Sequence, residues 1–204
     1  MTLSRSYRVR LIPSLIFAVT GIVVAGCVAA RAASPANKTV TKESTAPLRT
    51  VKHVDLRRYM GDWRVIANIP YFGEKNCVDS IEGYRLRPDG RIDNFFTYRK
   101  KSFSAPQKQM RALAWVVNHE TNAAWKVRFF GLLTVDYLII DLDPNYRWAV
   151  LGYPKRKYGW ILAREKTLPE KTYREILSRL AAQGYDPARF RKVPQLPSQI
   201  GDLH

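Results

Sequence analysis

Three aspartates, Asp136, Asp141 and Asp143, are close enough in sequence to suggest a carboxylate site for acid–base or metal chemistry. Asp141 and Asp143, however, flank a turn, where an aspartate side chain caps backbone amides. His53, His119 and His204 are far apart, and His119 falls in a predicted turn. The chain has no nucleophile elbow, no glycine-rich phosphate loop and no His-Glu-x-x-His. Neither Cys27 nor Cys77 has Cys or His neighbours at metal-ligand spacing, and two cysteines exclude a disulfide-built scaffold. Cys77 is open to two readings, a reactive thiol or a plain buried cysteine. These residues assemble no catalytic constellation, so the chain reads as a non-enzyme with no metal and no other cofactor.

What the chain carries instead is aromatic bulk on runs of β character: Phe95, Tyr98, Trp115, Trp125, Phe129, Tyr137, Trp148 and Trp160. A strand sends alternate residues to opposite faces, so these side chains either pack a solid core or line an apolar cavity. At 46% apolar and 12% aromatic, the 204 residues can bury a real core as one domain with extensions. The formal charge of +17 suits an anionic membrane surface, nucleic acid or plain solubility. No long basic helix, finger-like Cys/His spacing or RNA-binding aromatic pair is present, which argues against nucleic acid.

The first fifty residues read as targeting and tether. Arg5, Arg8 and Arg10 precede an apolar stretch from Leu11 to Ala25, and then come Val24-Ala25-Gly26-Cys27. Small residues before a cysteine, after a short apolar run, are the pattern of a bacterial lipoprotein signal. Residues 1–26 would be removed and Cys27 lipidated. The alternatives are an ordinary secretory signal cut after Ala30-Arg31-Ala32 and an uncleaved anchor. Two or three acyl chains would exceed the single chain that binds membranes only marginally. Residues 27–50, rich in Ala, Ser, Thr, Pro and Lys, form a tether reaching on the order of 70 Å when extended.

Eight short β-like runs follow between Trp63 and Glu165, separated by turns such as Arg87-Pro88-Asp89-Gly90, His119-Glu120-Thr121-Asn122 and Asp143-Pro144-Asn145. Eight strands without intervening helices make an antiparallel meander or sandwich, and closure into a barrel is one way to abolish its edges. The period changes over Pro169–Gln183. Tyr173, Ile176, Leu177, Leu180 and Ala181 share one face, with Pro169 near the start and Gly184 just past the end. This is an amphipathic helix suited to covering the outside of a sheet. The body spans 51–193; the chain from Arg189 onward is basic and punctuated by prolines, and 194–204 reads as a loose tail.

The stretch from Val54 to Ala67 organises the rest. A polar-capped turn leads through Gly61 to Trp63, which opens the first run and is large enough to plug a small barrel. Together with Asp141-Leu142-Asp143-Pro144-Asn145-Tyr146-Arg147-Trp148-Ala149-Val150 and Trp160-Ile161-Leu162-Ala163-Arg164, Gly61-x-Trp63 resembles the three motifs of the lipocalin family, in order. The nearest likeness is to bacterial outer-membrane lipoproteins and the apolipoprotein D-like branch. Two departures are Arg64, where many relatives carry an aromatic residue, and the unpaired Cys77.

The resemblance implies an all-β, eight-stranded antiparallel up-and-down barrel with one C-terminal amphipathic helix outside it. It implies closure by Gly61, Trp63 and Arg164, the arginine lying across the tryptophan. It also favours a cavity over a solid core, with candidate lining residues Phe95, Trp115, Trp125, Phe129, Tyr137, Trp148 and Trp160. In such a barrel alternate connections share an end, which places Lys75, Lys100, Lys101, Lys108, Lys155, Arg156 and Lys157 at a basic mouth. The implied function is membrane-anchored binding, storage or transport of a fatty acid, lysophospholipid or similar hydrophobic ligand, in membrane maintenance. The implied place is the outer membrane, facing the periplasm, or a secreted or periplasmic state without the lipid. Homodimerisation is left open. The alternatives are a ligand-free envelope barrel acting as a protein-interaction module and a lipid-modifying enzyme. A cavity of a few hundred Å³ would favour the carrier, and a buried carboxylate with a shifted pKa would raise the enzyme.

Overall fold

In a computed structural model, which describes residues 46–203, a short helix α1 (Leu56–Tyr59) precedes β1 (Gly61–Ile69). The signal peptide, Cys27 and almost all of the expected tether lie outside the described residues. Asp55 caps α1, its carboxylate accepting from the amides of Arg57 and Arg58 at 2.9 and 3.2 Å. The chain then runs through β2 (Cys77–Leu86), β3 (Ile92–Lys100), β4 (Lys108–Val116), β5 (Ala124–Phe129), β6 (Leu133–Leu142), β7 (Trp148–Gly152) and β8 (Gly159–Ala163). Each strand pairs antiparallel with the next. β1 closes the barrel by pairing with β2 over Gly61–Arg64 and with β8 over Arg64–Ile69. Closure of the ring removes the long free edges of an open sheet.

The expected helix is α2 (Glu170–Ala182), and it lies outside the barrel. Tyr173, Ile176 and Leu180 bury against Ile66, Ile140, Val150 and Ile161, which are the outward residues of β1, β6, β7 and β8. Leu177 packs at the edge of this layer, while Ala181, expected on the same face, is exposed. Gly184 at φ +82° ends the helix, and the Tyr185 amide returns to the Leu180 carbonyl at 3.1 Å.

β1 and β2 diverge beyond Arg64, and the C-terminal segment fills the gap. Residues Arg191–Lys192 (β9) pair with Ala67 and Asn68. The amide of Val193 donates to Ile66, and the carbonyl of Pro194 accepts from Asp79. Gln195, only 1% exposed, donates to the carbonyls of Val65 and Ser80 at 2.8 and 3.0 Å, bridging the two strands. The packed body therefore extends past the expected start of a loose tail at Pro194. An isolated glutamine among prolines gave no sign that it would satisfy two strand carbonyls 115 or more residues away.

Gly61 adopts φ +97°, and a Cβ there would stand 3.2 Å from the Arg164 guanidinium. Gly61→Ala is expected to cost about 1–3 kcal/mol by urea denaturation, through a backbone conformation that L side chains avoid and pressure on Arg164. An unchanged midpoint would contradict both causes.

Candidate functional site: the barrel interior and its mouth

The end of the barrel where β1 begins is closed by stacked side chains. Trp63 is fully buried and its indole N–H donates to the Tyr59 carbonyl at 2.8 Å. Arg164 lies over the Trp63 ring with 3.6 Å from guanidinium carbon to ring centroid. Its N–H groups donate to the carbonyls of Asp62, Arg58, Tyr59 and Met60 at 2.8–3.2 Å. One planar cation thus satisfies the carbonyls at the end of α1 and holds the tryptophan. Above it Tyr59, Tyr84, Trp125 and Tyr137 pack with centroid separations of 5.4–6.1 Å, forming an aromatic floor.

Strand alternation sorts the candidate lining residues. Trp125, Phe129, Tyr137 and Trp160 belong to the inward cluster, whereas Phe95, Trp115 and Trp148 face out. Arg111 sits over Phe95, Arg128 over Trp115 and Arg179 over Trp148, each 5.2–5.5 Å from the ring. Trp148 joins the layer under α2. In β3 and β4 it is the adjacent positions that point in: Phe96 and Tyr98, and Met110, Ala112 and Ala114. Trp125 forms part of the floor and is fully buried, while Phe129, Tyr137 and Trp160 keep accessible surface. Tyr98, Met110, Ala112 and Val135 are likewise inward yet only partly buried. The inward side chains are thus fully buried at the floor and only partly covered above it, and this less filled upper part of the barrel is its calyx.

The calyx also holds polar groups that the sequence did not single out. Glu82 on β2 points inward beside Tyr84, and the Asn94 amide donates to it at 2.7 Å. Its carboxyl is pushed up to about 7 by burial, against the pull of the Asn94 hydrogen bond. Glu74, in a 3₁₀ turn (Phe72–Glu74) after β1, folds back over the mouth and is 5% exposed. It accepts from Trp160 Nε1 at 2.9 and 3.1 Å and from Asn68 Nδ2 at 3.0 Å. Burial pushes it up to about 8; the Trp160 bond opposes that shift, and nearby Glu82 adds to it. Neither carboxyl has an ion-pair partner among the described residues. The Tyr84 and Tyr137 hydroxyls hydrogen-bond to each other, and burial raises both phenols.

The aspartates that opened the search are dispersed. Asp136 pairs with Lys126 at 2.7 Å and Asp141 with Arg179 at 2.6 Å. Asp143 caps the amides of Asn145 and Arg147, and the Arg147 guanidinium holds its carboxyl below the usual range. The Cys77 thiol is buried and pushed up by that burial, a structural cysteine and not an activated one.

Four connections share the open end, between β1 and β2, β3 and β4, β5 and β6, and β7 and β8. Lys75, Lys101, Lys108, Lys155 and Lys157 are exposed there and have no ion-pair partner among the described residues. Lys100 donates to the carbonyls of Gly73 and Lys75 at 2.6 and 2.9 Å, tying two of the loops together. Arg156 departs from the expected basic mouth. It is buried and clamps the carbonyls of Gln183 and Ala46, both at 2.6 Å. The same end presents Phe72, Phe130 and Leu132, which are 88, 76 and 90% exposed. The signal for these was an apolar turn, Phe130-Gly131-Leu132-Leu133, where turn residues are usually polar. A cavity of ≈ 790 Å³ opens on the β1 side of this end, bounded by Asn68, Glu74, Lys75, Cys77, Arg191 and Val193.

Among the described residues the site holds no activated nucleophile and no cluster of metal ligands. Residues 54–195 match the lipocalin-like domain. Temperature-induced lipocalin-1 of Arabidopsis thaliana is 32% identical over 160 residues, covering 72% of this chain and 83% of that protein. Outer membrane lipoprotein Blc of Escherichia coli K12 is also 32% identical, over 167 residues, covering 80% of this chain and 94% of that protein. Among solved structures, insecticyanin from the tobacco hornworm Manduca sexta superposes with a TM-score of 0.58 at 17% identity. That match covers 72% of this chain and 84% of the other.

Proposed function

The chain belongs to the lipocalin family, whose members bind or carry ligands and are not enzymes, and we propose that it is a lipid-anchored carrier of fatty acids, lysophospholipids or similar amphiphiles. The observation that carries this reading is the set of inward side chains with accessible surface: Tyr98, Met110, Phe129, Val135 and Trp160 above the aromatic floor. A ligand chain lying among them leaves water at about 25 cal/mol per Å² of apolar area. The unpaired lysines at the open end would hold an anionic head group there. Inward side chains left accessible above the floor favour this reading over a solid-cored interaction module.

Anchoring is proposed from Cys27 and its preceding small residues, and is supported by the outer membrane lipoprotein to which the chain is similar. The tether would let the barrel reach the membrane without leaving it. Exposed Phe72, Phe130 and Leu132, set among lysines, suit contact with a lipid surface while ligand passes through the mouth. The role would be storing, moving or repairing membrane lipid in the envelope.

The test is native mass spectrometry with lipid extraction on the full-length protein, purified under conditions that retain bound lipid. One amphiphile per barrel, displaced by a fluorescent fatty acid, is the expected result. A protein that is empty and also refuses such probes would sink the carrier reading.

A further inference from the structure

We propose that the calyx also takes a hydrophobic amine, nitrogen end first, with its ammonium held between the Glu82 carboxylate and the Tyr137 hydroxyl. This rests on reading the barrel as a ligand cavity, and it concerns the inner end of the ligand where the carrier reading concerns the chain and the mouth.

Glu82 is the inward carboxyl of the middle of β2, with Phe96 opposite it on β3 and Tyr84 the next inward residue. Glu82 and Tyr137 are inward positions that keep accessible surface, so that surface faces the barrel interior. Asn94 supplies Glu82 with a neutral hydrogen bond, and no lysine or arginine pairs with it among the described residues. At the rim Lys100 is spent on backbone carbonyls, and at the closed end Arg164, stacked on Trp63, is spent on those of Arg58, Tyr59, Met60 and Asp62. A second observation points the same way. The Tyr59 hydroxyl is wholly buried with only the Tyr137 hydroxyl close enough to meet it, and no well-formed hydrogen bond satisfies it among the described residues. The floor is therefore rich in hydroxyls and ring faces, and the cation beneath it is already hydrogen-bonded to backbone carbonyls.

A carboxylate in such a place is costly to the free protein, and its cost is relieved only by a cation or a proton. A ligand ammonium supplies the charge, donates hydrogen bonds to Glu82 and Tyr137, and meets the ring faces of the aromatic floor, which attract cations. A fatty acid carboxylate placed at the same depth would face Glu82 with like charge, so an acid must bind with its head at the mouth. The inner site thus separates ligands by head group while the apolar wall treats their chains alike.

Three chain-matched probes, hexadecylamine, hexadecanol and hexadecanoic acid, would be titrated against the full-length protein by displacement of a fluorescent fatty acid. The amine is expected to bind at least about tenfold more tightly than the alcohol, a difference of about 1.4 kcal/mol. Glu82→Gln is expected to remove that preference while leaving the alcohol within about twofold. An amine no better than the alcohol in the unaltered protein, or a preference that survives in a folded Glu82→Gln, would overturn the proposal. Because the first comparison needs no variant, a Glu82→Gln that fails to fold leaves it decisive. Binding of the acid without the amine would leave the carrier reading standing and this one refuted, and binding of none would refute both.

Discussion

Trp63→Ala is expected to lower the unfolding free energy by about 3–5 kcal/mol. The tryptophan is fully buried, bonded to the Tyr59 carbonyl and 5.1 Å from the Tyr59 ring. Its removal leaves a cavity in the floor and takes away the surface on which Arg164 rests. Arg164 in turn bonds the carbonyls of Arg58, Tyr59, Met60 and Asp62, so it fastens α1 to β1 from the end of β8. Arg164→Ala should therefore be non-additive with Trp63→Ala, with a coupling of about 0.5–3 kcal/mol in a urea-denaturation cycle. A loss below about 1 kcal/mol for Trp63→Ala, or simple additivity, would show that the closed end does not depend on this stack.

The second large effect is a dependence of stability on pH that runs against the protein's net charge. Glu74 titrates near 8 in the fold because burial disfavours its anion, against an ordinary value of 4.5. A carboxyl whose folded pKa is raised binds its proton more tightly when folded. The fold accordingly has its full stability below about 4.5 and loses it as pH rises through about 8. For the full shift the loss approaches about 4–5 kcal/mol, and Glu82 adds to it in the same direction. Denaturation between pH 5 and pH 9 should show stability falling, although relieving a +17 charge by raising pH would by itself increase it. Glu74→Gln keeps one acceptor oxygen for Trp160, its NH2 can donate to Asn68 once that side-chain amide turns its Oδ1 toward it, and it should flatten the slope. A slope equal in the two proteins would mean that Glu74 is ionised in the fold with little penalty.

Much of the fold was legible from local chemistry. Pro88-Asp89-Gly90, Asn118 with Asn122, and Asp143 each build their turn from their own side chains or backbone preferences, so strand boundaries could be read within a few residues. The helix was legible because its apolar residues recur at a helical period between Pro169 and Gly184. The face of each strand was less so. Phe95 and Phe96 are neighbours, and either could have pointed in; register with β4 and the closure of the ring assign Phe96. Bulges between Val65 and Ala67, Val78 and Ile81, and Ile139 and Asp141 each shift the alternation, so parity cannot be counted across a strand from sequence. Trp148 faces out because β7 alternates regularly with Ala149 and Leu151 inward, a phase its aromatic character does not reveal.

Arg156 and Glu74 show a different limit. Both sit in polar loops where a charged residue ordinarily stays in water, and both are buried. Arg156 is paired with carbonyls 27 and 110 residues away, and Glu74 with a tryptophan 86 residues away. By itself the sequence determined a chain of eight antiparallel strands, a covering helix and a non-enzymatic binding protein, because turn chemistry, hydrophobic period and motif order act between near neighbours. The tertiary structure alone decided which aromatics line the calyx, that two carboxyls enter it without a cation, and that the last strand seals the seam. Those outcomes depend on register and burial, which are set only when residues far apart in the chain compete for the same interior.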